Sequence, residues 1–291
     1  MVGSAAGIDA AGIDAARRDR GASRRENFPV ALRVLPATVR RDLRAVYAVA
    51  RLIDDVGDDA GSPTEDRARE LDRIESELRM AFAGGAVELP AVRALAPAIG
   101  DRRLPLEPFL ALVEANRHDL RTSRYRSYGD LRHYCSLSAD PVGRSVLAVF
   151  GVADPRAGSR SDQVCSALQI LEHCQDVGED RRDRDRIYLP GEDLDRFGVA
   201  ETDLDAATAT PRLRRLLAFE VDRAEALLAD GAELVGMLHG AARIAVAGYV
   251  AGGRATVAAI RRAGHDVLGT QARPRRRDIA AHTARLLGGR R

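Results

Sequence analysis

Residues 39–59 read Val39-Arg-Arg-Asp-Leu43-Arg-Ala-Val46-Tyr47-Ala-Val-Ala50-Arg51-Leu-Ile53-Asp54-Asp55-Val-Gly-Asp58-Asp59. Val39, Leu43, Val46, Ala50 and Ile53 recur at the spacing of one helix face, so the segment from Pro36 to Asp59 is expected to be a helix with a packed side. Its end is crowded with charge. Asp54 and Asp58 are four residues apart, as are Asp55 and Asp59, so each pair shares a face and repels. The helix macrodipole also disfavours anions at a C-terminus. Carboxylates placed there call for a cation. Oxygen-only donors suit Mg²⁺, which takes one or two carboxylates together with phosphate oxygens. Arg51, three residues before Asp54, adds a guanidinium fork that fits a diphosphate. The competing reading is an acidic helix end turned to water.

A second stretch, Gln169-Ile-Leu-Glu172-His-Cys-Gln175-Asp176-Val-Gly-Glu179-Asp180, repeats the pattern. Gln169, Glu172, Asp176 and Asp180 step by three, four and four residues, which makes one polar stripe about 16 Å long on a helix. Val164, Ala167, Leu168 and Leu171 give it apolar flanks. Such a stripe faces either solvent or a lined cavity. Two Asp-bearing helices in one chain favour the cavity, because a bundle core builds sites from facing helices. His173 reads as a packing or hydrogen-bonding residue, since an oxygen-rich Mg²⁺ site does not favour imidazole, with proton acceptor as its alternative role.

Outward from these stretches the chain is helical throughout. Its 291 residues are 45% hydrophobic, and strand-like alternation is scarce among long Ala-, Leu- and Arg-rich segments. Further helices are expected over 64–82, 90–99, 105–120, 128–150, 160–181, 193–197, 211–238 and 241–262, separated by Gly- and Pro-bearing breaks. These form an all-α fold, one helical domain over residues 25–270. Residues 1–24 hold a short duplication, Ala6-Gly-Ile-Asp-Ala10 and Ala11-Gly-Ile-Asp-Ala15, with too little apolar content to pack, and are read as a disordered lead. Residues 271–291 form a basic tail around Arg275, Arg276 and Arg277, read as solvated or as a contact for anionic lipid.

Composition excludes several classes. A net charge of +2 gives no argument for nucleic acid as a partner, and all 45 basic residues are arginine. Cys135, Cys165 and Cys174 lack metal-binding spacing and read as small hydrophobes in a reducing compartment. No apolar run approaches a membrane span, and the N-terminus lacks a signal-peptide core, so a cytoplasmic location is expected. No GxGxxG follows a strand, which leaves nicotinamide binding unsupported.

Taken together, Tyr47-x₃-Arg51-x₂-Asp54-Asp55-x₂-Asp58, Asp176-Val-Gly-Glu-Asp180 and Arg186-Ile-Tyr188-Leu-Pro190 resemble the squalene/phytoene synthase family. Glu26-Asn-Phe-Pro-Val-Ala31, Tyr134-Cys-Ser-Leu-Ser-Ala-Asp-Pro-Val-Gly-Arg144 and Glu192-Asp-Leu-x-Arg-Phe-Gly198 most resemble its bacterial hydroxysqualene synthase branch. The resemblance runs from about residue 24 to 270. It implies an isoprenoid synthase fold, a single helical bundle around a central cavity. It further implies Mg²⁺ held by Asp54, Asp58, Asp176 and Asp180, with Asp55 and Glu172 as additional candidate ligands. Arg51 would contact phosphate, and Tyr47, Phe28, Gln169, Glu172 and Gln175 would line the substrate. Glu172 stands where relatives usually carry Asn, and Gln175 where phytoene-type synthases usually carry Arg.

The implied substrate is a prenyl diphosphate, either presqualene diphosphate or farnesyl diphosphate. Three activities stay open: a lyase making hydroxysqualene from presqualene diphosphate and water, a transferase condensing two prenyl diphosphates, and a non-catalytic helical relative. The first pairs functionally with a presqualene diphosphate synthase. Phe28, Tyr47, Phe109, Tyr134 and Phe150 are the aromatic candidates for stabilising a carbocation, with core packing as their alternative role. Tyr249 lies near a family region that often places a Tyr in the cavity, with core packing as the favoured role.

Overall fold

The computed structural model describes residues 35–289; Phe28 and the segment 1–24 lie outside them. Among the described residues every regular element is helical, and β pairing is limited to an isolated bridge between Arg124 and Ile187. Helix α1 (Ala37–Gly57) buries Val39, Leu43, Val46, Val49 and Ile53, the face its periodicity marks. Helix α2 (Thr64–Phe82) carries Glu65 and Asp66 in its first turn and Arg79 in its last, each favourable to the macrodipole. The intervening turn is held by Asp59, which accepts hydrogen bonds from Gly61 N at 3.1 Å and Ser62 Oγ at 2.7 Å. Asp59 is therefore a turn residue.

Helices α3 (Pro90–Arg102) and α4 (Glu107–Asp119) complete the N-terminal half around Ile53, Leu71, Leu78, Leu95 and Phe109. Phe109 is fully buried, with its ring centroid 5.8 Å from that of Phe82. It belongs to the core, not to a carbocation cavity.

The single helix expected over 128–150 is two, α5 (Tyr128–Ser138) and α6 (Asp140–Val149). Pro141 is the reason: it has no N–H to donate backwards, and its ring clashes with the carbonyl of the preceding turn. Helix α7 (Pro155–Arg184) is the longest, 30 residues or about 45 Å. Asp154 caps it by accepting from Arg156 N at 2.8 Å, and Pro155 sits in the first turn, where a missing N–H costs nothing.

After α8 (Gly191–Phe197) and a 3₁₀ turn (Glu201–Asp205) come α9 (Pro211–Gly231), α10 (Leu234–Met237) and α11 (Gly240–Arg262). The helix expected over 211–238 thus stops at Gly231. That glycine lets α9 lie against α7, because a Cβ there would meet Val164 Cγ2 at 2.7 Å and Val164 N at 2.9 Å.

The basic segment holds a further surprise. Residues Arg276–Gly288 form helix α12, packed on α11. Arg262 pairs with Asp278 at 2.9 Å, Arg243 donates to Leu287 O at 3.1 Å, and Leu286 and Leu287 join an apolar cluster with α10 and α11. Arg275, Arg276 and Arg277 remain exposed at its start. Among the described residues no helix is long and apolar enough to cross a membrane.

The α1–α4 core meets a second core, built from α5, α7, α9 and the loop residues Ile187–Leu189, along a seam. At that seam the C-terminal ends of α1 and α7 come together.

Candidate active site

Both acidic stretches meet at one guanidinium. Arg184, the last residue of α7, places Nη2 3.0 Å from Asp58 Oδ2 and Nη1 3.3 Å from Asp180 Oδ1. A second arginine, Arg186, lies 3.4 Å from Asp58 Oδ1 and 3.4 Å from Asp119 Oδ2, and donates to the Asp119 carbonyl at 3.1 Å. The chain reaches this position because Asp185 reverses it in the left-handed conformation, φ 49°. It then runs beside the loop before α5, with Ile187 N donating to Ser123 O at 2.9 Å and Gly191 N to Tyr125 O at 2.8 Å.

On α1, Asp54 accepts a hydrogen bond from Asn116 Nδ2 at 3.2 Å, and Asn116 also donates to Leu112 O at 3.1 Å. Gly57 makes this possible: a Cβ at that position would overlap the Asn116 side-chain oxygen. Asp54 is open to solvent by surface area yet walled in by protein, as expected for a residue lining a cleft. That crowding is the main reason its pKa is raised, to about 6. The Asn116 amide opposes the rise, the neighbouring Asp58 charge adds to it, Arg51 opposes it and Asp55 adds slightly.

On α7, Asp180 is buried, and burial raises its pKa to about 7 against the pull of Arg184, with Asp176 and Glu179 pushing it further up. Asp176 is half-buried one turn earlier, while Glu172 and Glu179 are exposed. Asp54, Asp58, Asp176 and Asp180 thus supply hard oxygen donors from two sides of one junction, where cationic side chains already gather. Among the described residues no three such groups converge closely enough to hold an ion unaided. The donor set fits Mg²⁺, whose shell is commonly completed by substrate phosphate oxygens and water.

Behind the carboxylates lies an aromatic and imidazole layer. Tyr134 donates to Asp119 Oδ2 at 2.8 Å, and His173 stacks on Tyr188 with centroids 3.6 Å apart and planes at 12°. Tyr125 stacks on Tyr188 at 5.5 Å and tilts against Tyr134 at 5.3 Å. Asp119 has its pKa raised to about 6, chiefly by burial and in spite of Arg186 and Tyr134. Burial lowers that of His173 to about 3, so it is a neutral ring at ordinary pH, within 3.2 Å of Gln169 Nε2. Its packing role follows.

The remaining residues singled out from the sequence are placed differently. Arg51 pairs with Asp55 at 3.0 Å along α1, and Tyr47 is half-buried two turns before Asp54. Gln175 does not join the group around Arg184; its amide donates to the carbonyl of Ala272, beyond α11. Tyr249 lines an apolar pocket between α6, α7 and α11, together with Val146, Leu147, Val164, Leu168 and Val246. Phe150 packs at the edge of two apolar clusters. Sequence reasoning missed Asn116, Asp119 and Arg184 altogether. Arg184 stands four residues after Asp180, the spacing of a helical ion pair, and that was the available signal.

The squalene/phytoene synthase family model matches residues 22–278. Hydroxysqualene synthase from Rhodopseudomonas palustris is 36% identical over 211 residues, covering 72% of this chain and 70% of that protein. Phytoene synthase from Arthrospira platensis is 32% identical over 229 residues, covering 74% and 72%. Among solved structures, a squalene synthase, HpnC, from Alicyclobacillus acidocaldarius superposes with a TM-score of 0.75 at 43% identity, covering 87% of this chain and 95% of that one. A dehydrosqualene synthase at 23% identity superposes with a TM-score of 0.81 and extends the likeness of fold to 96% of the chain.

Proposed function

We infer the reaction from one premise: this chain belongs to the squalene/phytoene synthase family. It is an enzyme acting on a prenyl diphosphate, and its reaction is the ionisation of presqualene diphosphate, followed by rearrangement and capture of water to give hydroxysqualene and diphosphate. The observation that carries the diphosphate chemistry is the meeting of Asp58 and Asp180 at Arg184. It sets two acidic helix ends and several guanidinium groups around one point, as a polyanionic leaving group requires.

Asp54 and Asp58 from α1 and Asp176 and Asp180 from α7 are the residues that would hold Mg²⁺. When bound there, Mg²⁺ neutralises the charge that develops on the departing diphosphate. Arg51 and Arg184 offer guanidinium forks to the same oxygens, a preorganised electrostatic effect. Leu168, about 12 Å back along α7 from Asp176, opens onto a small apolar pocket, and this is the side on which the hydrocarbon chain is proposed to lie. Apolar walls there exclude the water that would quench a carbocation early. Tyr134 and Tyr188, with ring centroids 5.5 Å apart in the layer behind the carboxylates, are the rings proposed for cation–π contact.

Hydroxysqualene is favoured over presqualene diphosphate or phytoene as product by the hydroxysqualene synthase relatives and by Gln175 at a position where phytoene-type synthases usually carry Arg. Pairing with a presqualene diphosphate synthase then follows from the substrate. Contact of Arg275–Arg277 with anionic lipid suits a lipid-soluble product. Incubation with Mg²⁺ and either presqualene diphosphate or farnesyl diphosphate, followed by lipid analysis, tests the proposal. Hydroxysqualene from the first substrate supports the lyase. Presqualene diphosphate from the second makes the chain a transferase, and consumption of neither removes the enzymatic reading.

A further inference from the structure

Where α1 and α7 end, a side chain stands in the place of an ion. Arg184 spreads its two terminal nitrogens over two carboxylates from different acidic stretches, 3.0 Å from Asp58 and 3.3 Å from Asp180. It does not fork onto one carboxylate, the geometry in which an Arg–carboxylate pair is strongest. The site also collects negative charge beyond these groups. Asp58 is the C-cap of α1 and Arg184 closes α7, so the negative ends of two helix dipoles point to the same place.

Two arginines reach Asp58, and they are held differently. Arg186 is buried, its guanidinium fixed by both the carboxylate and the main-chain carbonyl of Asp119. Arg184 is more exposed, its side chain 25% accessible against 10% for Arg186, and it pairs with Asp58 and Asp180. Arg186 is a fixture; Arg184 is free to leave.

We propose that Arg184 is an internal counter-cation that bridges Asp58 and Asp180 while no divalent metal is bound, yields them when metal binds, and then serves as a contact for the diphosphate. The inference rests on the diphosphate reading above. Its physical content is a competition. Mg²⁺ must displace a positive charge already bound to its ligands, so the free protein holds metal weakly. Once the anion arrives, the released guanidinium has a better partner than either carboxylate, because its planar fork matches phosphate oxygens. Metal and diphosphate therefore bind with positive coupling, each relieving a cost of the other.

The test is calorimetric and needs no turnover. Mg²⁺ alone, and then pyrophosphate in the presence of Mg²⁺, are titrated into the parent protein, Arg184→Gln and Arg181→Gln. Arg181 pairs with Asp185 and Asp205 outside the junction, so its variant controls for loss of one positive charge. Arg184→Gln is expected to bind Mg²⁺ about five- to tenfold tighter than the parent and Mg²⁺–pyrophosphate about five- to tenfold more weakly, as partly exposed ion pairs allow. Arg181→Gln is expected to match the parent in both. If Arg184→Gln binds Mg²⁺ no tighter than the parent, with a Tm within about 2 °C of it, Arg184 is a strut and the proposal is overturned. If Arg184→Gln melts lower than that, Arg184→Lys, which keeps one of the two pairs, replaces it with the same directions expected, and unchanged Mg²⁺ affinity there overturns the proposal equally. Failure of the parent itself to bind pyrophosphate with Mg²⁺ would instead remove the diphosphate reading.

Discussion

Gly57→Ala is the substitution whose consequences the structure fixes most tightly. In an isolated helix the change would stabilise by about 1 kcal/mol, since alanine is the better helix former. Here the new Cβ overlaps the Asn116 side-chain oxygen. The backbone has little room to retreat, because Arg67 Nη1 holds Gly57 O at 3.0 Å. Asn116 must therefore move and lose its bond to Asp54. A hydrogen bond to a charged group is worth about 1.5–3 kcal/mol, and Asp54's access to water places this one at the low end. Overpacking adds about 1–3 kcal/mol. Against the helix gain, the variant should be about 1.5–3.5 kcal/mol less stable, read as a lower urea midpoint at unchanged slope.

A second readout separates this from general damage. The Asn116 amide opposes the rise in the Asp54 pKa to about 6. Its displacement should move the acid limb of the pH–rate profile upward, by favouring protonated Asp54. Adding Asn116→Ala to Gly57→Ala should recover stability by removing the clash, and leave the acid limb displaced. A Gly57→Ala protein that is more stable than the parent, with an unmoved acid limb, would refute the reasoning.

The Mg²⁺ concentration needed for half-maximal activity should rise as pH falls from 8 to 6, because Asp180 and Asp54, raised to about 7 and 6, bind protons in competition with metal; a flat requirement across that range would count against their role. His173 titrates near 3 when folded against 6.5 when free, so the unfolded state binds more protons between these values. Its contribution to stability is complete above about 6.5 and is lost as pH falls toward 3; His173→Phe should flatten that part of the urea-midpoint profile. Arg186→Gln strands the buried Asp119 carboxylate and should cost about 3–5 kcal/mol at pH 8. The loss should be smaller at pH 5, where Asp119, with its pKa near 6, takes up a proton, and Asp119→Asn should restore part of it at pH 8.

The helix faces of α1 and α7 were legible because period and charge are written locally, in Val39 to Ile53 and in Gln169 to Asp180. The junction itself was not. Asn116 and Asp119 lie 62 and 61 residues from the side chains they serve, Asp54 and Asp58, and nothing in their neighbourhood marks them. Arg184 is one arginine within Arg181-Arg-Asp-Arg-Asp-Arg186, and only the fold shows that it spans two motifs. Besides the stop of α9 at Gly231, two elements differ from the sequence reading for opposite reasons. Pro141 lies inside a long apolar pattern and restarts the helix. In the basic segment, the Arg run precedes Leu286 and Leu287, through which α12 packs against α10 and α11.

The most direct test is crystallographic: crystals soaked with Mn²⁺ and a non-ionisable thio-diphosphate analogue, with anomalous scattering locating the metal. The account predicts manganese between the ends of α1 and α7, ligated from both Asp54/Asp58 and Asp176/Asp180, with diphosphate oxygens bridging them. Anomalous peaks confined to one helix, or lying away from both, would contradict it.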